Sequence, residues 1–291
     1  MESLLFIINP IAGGGKAKEL EAIILQKMNE HRIGFEIVFT SGPKDGINLA
    51  QNSKYETIVA VGGDGTINEV AKGIINRGYG VMGIIPGGTG NDMSKSLSIP
   101  LNPIVAIDII IQRKIREIDI GEINSHKFLN VASAGFDGEV VNHTNSIKHK
   151  YKGMMAYILG VLKALITFKK KKVVIDIDNE RYHRDIVLLA VGNGKYYGGG
   201  MMILPGAELD DGYLHICLVK NVSKLTLLGL FPTIFKGHHV KLKRYVELFK
   251  AKRVNIVSEE ELVINFDGEI ESHIREVEFK LSDERLRIIG N

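Results

Sequence analysis

The first hundred residues alternate between short runs of apolar residues and longer amphipathic stretches. Short apolar runs predict buried strands, and apolar positions spaced by three and four predict helices. The predicted elements are strands at 4–8, 35–40, 57–61 and 81–85 and helices at 16–30, 45–52 and 66–76. The third helix is expected to begin at Thr66, because Thr66 and Glu69 have the spacing of a capping box. Strands alternating with helices predict a parallel sheet covered on both faces, which binds ligands at the carboxyl ends of its strands.

The pattern changes after about residue 120, where apolar and polar residues alternate at period two. This alternation predicts strands at 173–178, 185–191, 213–219, 253–257, 262–266 and 276–281, with a last strand at 286–289. Many half-buried strands indicate an antiparallel sandwich, interrupted by two longer apolar segments, Tyr151–Phe168 and Leu225–Lys236. We therefore predict an α/β domain over 1–120, completed by 282–291, and a β-sandwich domain over 121–281.

Glycine-rich loops follow three of the predicted strands and lead into helices. They span 9–16, 62–66 and 86–92. Glycine lets the backbone approach a ligand closely, and the N–H groups at a helix start attract phosphate. Because the carboxyl ends of parallel strands share one edge of the sheet, the three loops are expected to converge on a diphosphate or triphosphate.

Two common phosphate-binding patterns do not fit these loops. A Walker loop needs serine or threonine after Gly15-Lys16, but Ala17 follows. A dinucleotide fingerprint that begins Gly63-x-Gly65 needs a third glycine or alanine, but its last position is Asn68. Neither a P-loop enzyme nor an ordinary Rossmann dehydrogenase is supported.

Composition narrows the class of protein. The 291 residues are 45% hydrophobic and 24% charged, which is typical of a globular chain. The net charge is +3, and the sequence lacks the dense basic patches of nucleic-acid-binding proteins. This mild basic excess suits an anionic cofactor or an anionic membrane surface. The single cysteine, Cys217, forms no intramolecular disulfide and reads as a buried core thiol in a reducing compartment. No apolar run is long enough to span a bilayer, so we expect a cytoplasmic protein with at most peripheral membrane contact.

Several motifs together resemble the diacylglycerol kinase catalytic domain family, which includes bacterial diacylglycerol kinases, sphingosine and ceramide kinases and relatives of NAD kinase. The motifs, in chain order, are Asn9-Pro10, the Gly62-Gly63-Asp64-Gly65-Thr66 loop with Asn68 and Glu69, the loop at 86–92, the segment 209–214 and Asp267-Gly268-Glu269. The resemblance implies an N-terminal Rossmann-like domain and a C-terminal β-sandwich domain for the lipid, with ATP in the cleft between them. It also implies transfer of the γ-phosphate of Mg·ATP to a lipid hydroxyl, first of all that of diacylglycerol, and a possible homodimer.

The loops and the resemblance together predict the nucleotide contacts. These are Asn9, Pro10, Ile11, Ala12, Gly13, Lys16, Thr40, Gly62, Gly63, Asp64, Gly65, Thr66, Ile67, Asn68, Glu69, Gly88, Thr89, Asn91 and Asp92. Thr40 is included because it matches a family position, and Lys16 is equally consistent with a solvated first-turn lysine. Carboxylates beside phosphate repel it unless a cation intervenes, so Asp64 and Asp92 are predicted to hold the catalytic Mg²⁺. The alternative is that each only caps its helix.

Acidic residues in the second half of the chain carry further predictions. Asp267 matches the family's general base, although an Asp-Gly hairpin turn would also explain it. Glu269 is the alternative base, since it faces the same way as Asp267 if the strand continues. Glu208, Asp211 and the carbonyl of Tyr213 are predicted to hold a second, structural Mg²⁺, because this segment does so in bacterial lipid kinases. A solvated acidic turn is the other interpretation.

Two apolar segments beside clusters of basic residues are candidates for membrane contact. The first runs from Lys148 to Lys172 and has lysines at both ends, and the second is Leu225–Phe235, followed by basic residues up to Arg244. Such segments can lie in a bilayer interface at the inner face of the membrane, but each also fits a core helix with solvated ends. Two further functions stay open, an NAD kinase-like enzyme and a non-catalytic nucleotide-binding protein of the membrane surface.

Overall fold

The computed structural model describes residues 3–147, 151 and 154–290. The chain divides into two compact units. Unit one comprises Met1–Ile120, Gly198–Gly200 and Asp283–Asn291, and unit two comprises Gly121–Tyr197 and Met201–Ser282.

Unit one is built on a parallel sheet. Its strands are β1 (Leu4–Ile8), β2 (Phe35–Phe39), β3 (Thr57–Gly62), β4 (Val81–Pro86) and the end of β13 (Glu269–Ile289). They lie in the order β2-β1-β3-β4-β13, and every neighbouring pair is parallel. The chain moves outward from β1 to β2 and then returns to the other side of β1. The carboxyl ends of β1 and β3 therefore form a topological switch point, where open α/β sheets bind ligands.

The helices of unit one cover this sheet. They are α1 (Lys16–Glu30), α2 (Asp45–Gln51), α3 (Asp64–Arg77), α4 (Asp92–Ser96) and α5 (Pro103–Gln112). Helices α1 and α5 share one core with the strands, to which β1 contributes Phe6 and Ile8. Leu5 and Ile7 point to the other face and are also buried. Burial on both faces explains why the strand reads as a continuous apolar run.

The start of α3 differs from the capping-box prediction. The helix begins at Asp64 instead of Thr66, and no side chain caps its N-terminus. The carboxylate of Glu69 instead accepts hydrogen bonds from the backbone N–H groups of Lys44, at 2.8 Å, and Gly46, at 3.0 Å. Glu69 thus satisfies backbone donors at the start of α2, so the prediction of a capping box was wrong.

Unit two is an antiparallel β-rich domain. Its strands are the end of β5 (Ile115–Ile123), which begins in unit one, and β6 (His126–Phe128), β7 (Val131–Gly135), β8 (Lys171–Ile177), β9 (Glu180–Gly192), β10 (Leu214–Lys220), β11 (Val246–Ala251), β12 (Arg253–Phe266) and the first part of β13. They follow the order β11-β10-β9-β7-β12-β13, while β8 pairs with both β9 and β12. The helices are α6 (Phe136–Ile147), α7 (Met154–Thr167) and α8 (Lys224–Ile234). The predicted fold class, an α/β domain and an antiparallel β domain, is confirmed.

In two cases, a pair of strands predicted as separate forms one continuous strand in the structure. The predictions at 253–257 and 262–266 both fall in β12, which has register shifts between Val257 and Ile264. Those at 276–281 and 286–289 both fall in β13, which runs without interruption from unit two into unit one. Bulges and exposed positions break the period-two alternation without ending the strand.

Strand β9 lies between two cores of unit two. Leu189 and Val191 belong to a core formed largely by strands, whereas Val187 and Ala190 belong to a second core, to which α6 and α8 contribute. Cys217 is fully buried in the second core, as predicted. Burial raises the pKa of its thiol to about 12, so it is protonated at neutral pH.

The apolar segments proposed for membrane contact form α7 and α8. Leu162 on α7 is partly exposed, and Leu225 on α8 is 82% exposed. No helix in the part of the chain that the structure describes is long and apolar enough to cross a membrane. Lys148, His149, Lys150 and Lys152 of the first segment lie outside the described residues. For Met154, Met155, Ile158, Leu165 and Ile166 the structure describes the helical backbone but not the side chains.

Candidate functional site

The three glycine loops of unit one are in contact, as predicted. The amide of Gly87 donates a hydrogen bond of 2.8 Å to the carbonyl of Gly62. A Cβ atom on Gly88 would lie 2.3 Å from the Cα of Gly63, closer than any side chain tolerates. The second and third loops therefore pack backbone against backbone, which only glycine allows at this position.

The first loop joins the other two through Gly13. This residue has a left-handed φ of 61°, and a Cβ atom on it would lie 2.4 Å from the carbonyl oxygen of Gly87. Asn9, at the end of β1, donates a hydrogen bond of 3.1 Å from Nδ2 to Oγ1 of Thr66 in α3. The loops after β1, β3 and β4 thus meet at the switch point of the sheet.

The carboxylates of Asp64 and Asp92 both lie close to Gly90 in this cluster. A Cβ atom on Gly90 would be 2.7 Å from Oδ2 of Asp64 and 3.8 Å from Oδ2 of Asp92. Oδ1 of Asp64 accepts a hydrogen bond of 3.1 Å from the amide of Met93 at the start of α4. Asp64 therefore connects the second loop to the third and does not cap its own helix.

The charge of Asp92 is only partly compensated. Its Oδ2 accepts a hydrogen bond of 2.7 Å from the amide of Gly199, and its Oδ1 lies 3.4 Å from Nζ of Lys95. Burial and the nearby charge of Asp64 raise the pKa of Asp92 against these two contacts. Two adjacent carboxylates with such an electrostatic deficit are the oxygen ligands that a hard divalent cation prefers, so the donor set fits Mg²⁺.

Replacing Asp92 by asparagine should stabilise the protein when Mg²⁺ is absent. Because the pKa of Asp92 is raised, the folded state takes up a proton at a higher pH than the unfolded chain does. The free energy of unfolding therefore rises as the pH falls through this raised pKa towards the ordinary value of 3.8. The neutral amide removes the unfavourable charge, so Asp92→Asn should gain on the order of 1 kcal/mol at pH 7, the scale of an ordinary point substitution.

Urea unfolding in EDTA at pH 7 and pH 5 measures this gain, with the exposed Asp283→Asn as the control. The advantage of Asp92→Asn over the unsubstituted protein should shrink at the lower pH. A variant less stable than the unsubstituted protein at pH 7 would show that the Asp92 charge is not a burden on the fold.

Other predicted contact residues have partners within the protein. Asn91 adopts a left-handed backbone and exchanges two hydrogen bonds with Gly88, from Nδ2 to the carbonyl at 2.9 Å and from the amide to Oδ1 at 3.0 Å. Asn91 and Glu69 thus hold the shape of the loops. Asn68 is buried, and its Oδ1 has no hydrogen-bond partner among the described residues.

The remaining predicted nucleotide contacts differ in exposure. Ile11 is 80% exposed, and Lys16 and Thr89 are also exposed. Thr40 is buried beside β1, where its amide donates to the carbonyl of Ile8 at 2.9 Å. Ile67 is part of the buried face of α3. The assignment of these residues to the nucleotide stays a prediction.

Asp267 lies in unit two, in the two-residue turn between β12 and β13. Asp267 and Gly268 have φ values of 47° and 92°, the left-handed pair of a type I′ hairpin. Both carboxylate oxygens accept backbone hydrogen bonds, Oδ2 from the amide of Leu129 at 2.7 Å and Oδ1 from that of Asn130 at 3.1 Å. The hairpin interpretation thus describes the backbone, while the side chain is oriented by the segment before β7.

Glu269 does not continue the strand that contains Asp267. β12 ends at Phe266, and Glu269 begins β13 as the partner of Phe266 across the turn. The expectation that the two carboxylates face the same way along one strand was therefore wrong. Glu269 is exposed, whereas Asp267 is partly buried.

The acidic segment after Glu208 is linked to basic side chains. Oδ2 of Asp211 lies 2.7 Å from Nζ of Lys250 and 3.0 Å from Nε2 of His215, and Oδ1 accepts from the amide of Tyr213. No group of three or more His, Cys, Asp or Glu residues suited to a metal occurs among residues 3–147, 151 and 154–290. A cation at Glu208, Asp211 and the Tyr213 carbonyl would compete with Lys250, and this second metal site stays a prediction.

Two features of the structure were not identified from the sequence. The first is the turn Gly198–Gly200, which belongs to unit one and provides the amide that binds Asp92. Three consecutive glycines were its only sequence signal. The second is a cavity in unit two between α8 and the sheet.

The cavity in unit two has an almost wholly apolar wall. Its volume is about 40 Å³. Helix α8 contributes four side chains to the wall, and the rest comes from the sheet, from α6, and from Tyr197, Met201 and His239. The lining residues are Phe136, Val140, Val187, Leu188, Tyr197, Met201, Val219, Leu227, Leu230, Phe231, Ile234, His239 and Val246. The periodicity of apolar residues along the sequence does not predict a gap between a helix and a sheet.

Comparison with known families covers nearly the whole chain. The family described as "Diacylglycerol kinase catalytic domain" matches residues 3–123. The family described as "YegS C-terminal NAD kinase beta sandwich-like domain" matches residues 130–290. The two matches fall in the α/β part and the β-rich part of the chain respectively.

Individual relatives agree with these matches. A diacylglycerol kinase of Staphylococcus carnosus (strain TM300) is 32% identical over 269 residues, which cover 90% of this chain and 87% of the relative. The crystal structure of a diacylglycerol kinase from Bacillus anthracis str. Sterne has a TM-score of 0.76 at 26% identity and covers 100% of this chain and 97% of that chain. An NAD kinase from Archaeoglobus fulgidus, solved in complex with ATP, has a TM-score of 0.52 at 10% identity and covers 100% of this chain and 94% of that chain, a likeness of fold alone.

Proposed function

Since this chain belongs to the diacylglycerol kinase family and is an ATP-dependent lipid kinase, we propose that it phosphorylates diacylglycerol to phosphatidic acid. The acceptor is the proposed part, because several lipids carry a suitable hydroxyl group. Curated relatives that are about one-third identical over most of their length are named for diacylglycerol. An NAD kinase-like activity has only distant support, from a likeness of fold at 10% identity.

The apolar cavity of unit two is the observation that supports a lipid acceptor best. Its lining contains no charged side chain apart from the titratable His239, whose pKa is lowered by burial. A highly polar acceptor such as NAD would leave its phosphates and hydroxyl groups without partners in such a wall, at a large desolvation cost. A hydrocarbon chain gains free energy there, by about 0.8 kcal/mol for each buried methylene group.

The cavity must widen before an acyl chain enters it. Its volume of about 40 Å³ is little more than the share of one liquid water molecule, roughly 30 Å³. Four of its lining side chains, Leu227, Leu230, Phe231 and Ile234, are carried by α8. We propose that these side chains move aside when the acyl chain of the acceptor binds.

The proposed chemistry assigns roles to groups in each unit. In unit one, the glycine loops donate backbone hydrogen bonds to the phosphates of ATP, while Asp64 and Asp92 would provide carboxylate ligands to Mg²⁺. Mg²⁺, when bound, would neutralise the charge that develops on the phosphates during transfer. In unit two, Asp267 accepts the proton of the lipid hydroxyl while the hydroxyl oxygen attacks the γ-phosphorus and ADP leaves. The two amides that bind its carboxylate set the direction in which the remaining lone pairs point.

Identification of the acceptor requires an unbiased assay. The purified protein is incubated with ATP labelled in the γ-phosphate and a total lipid extract, and the labelled lipid is identified by chromatography and mass spectrometry. We expect phosphatidic acid as the main product. If the label is found instead in ceramide phosphate, in a sphingoid phosphate or in an isoprenoid phosphate, the corresponding lipid is the acceptor and the assignment of diacylglycerol is wrong.

Filling the cavity should weaken the use of long-chain lipids selectively. Leu230 lines the cavity and is buried, so Leu230→Trp inserts a larger ring into the space for the chain. We expect the KM for dioleoylglycerol to rise about 10-fold, in line with the 1–3 kcal/mol that overpacking usually costs, while the KM for Mg·ATP stays unchanged. Leu248→Trp, an exposed leucine on β11 of the same unit that does not line the cavity, is the matched control. Equal effects of both variants on both KM values would argue against a chain in this cavity.

We further propose that α8 brings the enzyme to the inner face of the membrane. Leu225, Leu228 and Phe235 are exposed apolar residues on or beside this helix, and exposed basic residues follow at Lys236, Lys241, Lys243 and Arg244. Apolar insertion together with anionic headgroups at the basic residues is the usual combination for peripheral binding. Leu225→Asp should reduce flotation with vesicles containing phosphatidylglycerol, and unchanged flotation would reject this surface.

The homodimer that the family resemblance implies is also part of the proposal. Sedimentation velocity at micromolar concentration should give twice the mass of one chain. A mass equal to one chain over the whole concentration range would exclude it.

A further inference from the structure

The segment 197–201 is a closed hairpin whose ends line the apolar cavity. Tyr197 and Met201 exchange two backbone hydrogen bonds, each of 3.0 Å, and both side chains are buried in the cavity wall. Between them, Gly198–Gly200 have left-handed φ values of 60°, 86° and 118°. We refer to Gly198–Gly200 as the glycine turn. Its three residues belong to unit one, whereas the two flanking residues belong to unit two.

The glycine turn binds one of the two acidic residues assigned to the cation. The amide of Gly199 donates to Oδ2 of Asp92 at 2.7 Å, a short hydrogen bond to a charged acceptor. A Cβ atom on Gly90 would be 3.4 Å from the Cα of Gly199, and one on Gly200 would be 3.2 Å from Nζ of Lys95. The turn therefore lies close to Gly90 and Lys95 as well as to the carboxylate of Asp92.

We propose that the glycine turn is a positioning element for Asp92, through which an acyl chain in the cavity strengthens cation-dependent nucleotide binding. An acyl chain that enters the cavity displaces Tyr197 and Met201. These two residues are joined by two backbone hydrogen bonds and therefore move together. The three residues between them carry the displacement to the Gly199 amide. Lipid and Mg-nucleotide then bind cooperatively, and each raises the affinity of the other by the same factor. This inference rests on the proposed function.

Gly199→Ala separates positioning from packing. A Cβ atom on Gly199 meets no atom within 4 Å, so the substitution acts through its φ of 86°, which an L-residue rarely adopts. The relaxed turn moves the amide away from Asp92. We expect calorimetry to show roughly 5- to 10-fold weaker binding of adenylyl imidodiphosphate in the presence of Mg²⁺, the loss typical of a weakened hydrogen bond to a charged group. Binding in EDTA should change less than about two-fold, since the cation is then absent.

Two comparisons make this test specific. Gly206→Ala is the matched control, because a Cβ atom there also meets open space and its backbone is not left-handed. In the Asp92→Asn background, Gly199→Ala should have little further effect, because it acts through that carboxylate. Equal losses with and without Mg²⁺, or additive losses in the double variant, would reduce the turn to a general structural element and overturn the inference.

The coupling itself is measured with dioctanoylglycerol, a short-chain acceptor that dissolves in detergent micelles. At saturation it should tighten Mg²⁺-dependent binding of the ATP analogue to the unsubstituted protein at least about 5-fold, the lower end of ordinary allosteric couplings. Gly199→Ala should abolish this gain. If dioctanoylglycerol is phosphorylated with no change in nucleotide affinity, the coupling fails and the proposed function stands. If it is not phosphorylated at all, the proposed function fails, and the double-variant comparison alone decides whether the turn positions Asp92.

Discussion

Replacing Asp267 by asparagine should lower kcat about 10²- to 10⁴-fold, the range for loss of a general base. Asparagine tolerates the left-handed backbone at this position, where φ is 47°, and its Oδ1 can still accept one of the two amide hydrogen bonds. The fold should therefore survive while proton acceptance is lost. Steady-state kinetics with diacylglycerol and Mg·ATP measures the effect, and the KM for Mg·ATP should change little.

Asp178 offers an unusually close control for this experiment. It also lies in a hairpin turn of unit two, with a φ of 50°, and its Oδ1 accepts from the amides of Lys252 and Arg253, each at 3.1 Å. Asp178→Asn should leave kcat within a few-fold of normal.

Glu269→Gln tests the alternative base. A large fall in kcat for Glu269→Gln and a small one for Asp267→Asn would transfer the role of base to Glu269.

Replacing Gly88 by alanine should weaken binding of Mg·ATP by about 5- to 150-fold, which corresponds to the 1–3 kcal/mol that overpacking costs. The added Cβ atom would lie 2.3 Å from the Cα of Gly63, and the neighbour is backbone that cannot rotate away. The loops after β3 and β4 must separate, so their N–H groups no longer converge on one phosphate group. Titration with a fluorescent ATP analogue measures the affinity.

Gly42→Ala is the control for the loop substitution. Gly42 also lies in unit one, and a Cβ atom on it meets no atom within 4 Å. The affinity of the Gly42→Ala variant for Mg·ATP should match that of the unsubstituted protein. An equally high affinity in Gly88→Ala would mean that contact between these two loops is not needed to hold the phosphates.

Local patterns were sufficient where burial is uniform along an element. The strands of unit one read as apolar runs because both faces of the sheet are covered, as the alternate positions Phe6 and Ile7 illustrate. The positions of the glycine loops followed from the same pattern, because a parallel sheet brings the carboxyl ends of its strands together. The close approach of Gly13 to Gly87 and of Gly63 to Gly88 is a consequence of that topology.

Long-range pairing decided the features that local patterns could not predict. Glu69 has the spacing of a capping residue, but its carboxylate binds amides 25 and 23 residues earlier in the chain. β13 continues through Ser282–Arg285, where the apolar alternation disappears, and Arg285 there forms an ion pair of 2.9 Å with the buried Asp119. The strand persists through backbone pairing with β5, which the polar sequence does not reveal.

The candidate site shows the same limit. The amide that binds Asp92 comes from Gly199, 107 residues further along the chain. Asp211 was interpreted from its spacing to neighbouring oxygen ligands, but its carboxylate contacts Lys250 on strand β11. Spacing along the sequence identifies residue types suited to a role, whereas their partners depend on how distant strands pair.

Competition between two acceptors in one reaction tests the lipid kinase assignment most directly. The unsubstituted protein and Asp267→Asn are each supplied with γ-labelled Mg·ATP, with diacylglycerol in micelles and with NAD in the surrounding solution. Label should enter phosphatidic acid in the first reaction, be reduced at least about 100-fold in the second, and never enter NADP. Labelled NADP without labelled lipid would contradict the role of the apolar cavity as the acceptor site, and undiminished phosphatidic acid from Asp267→Asn would contradict the role of Asp267 as the base.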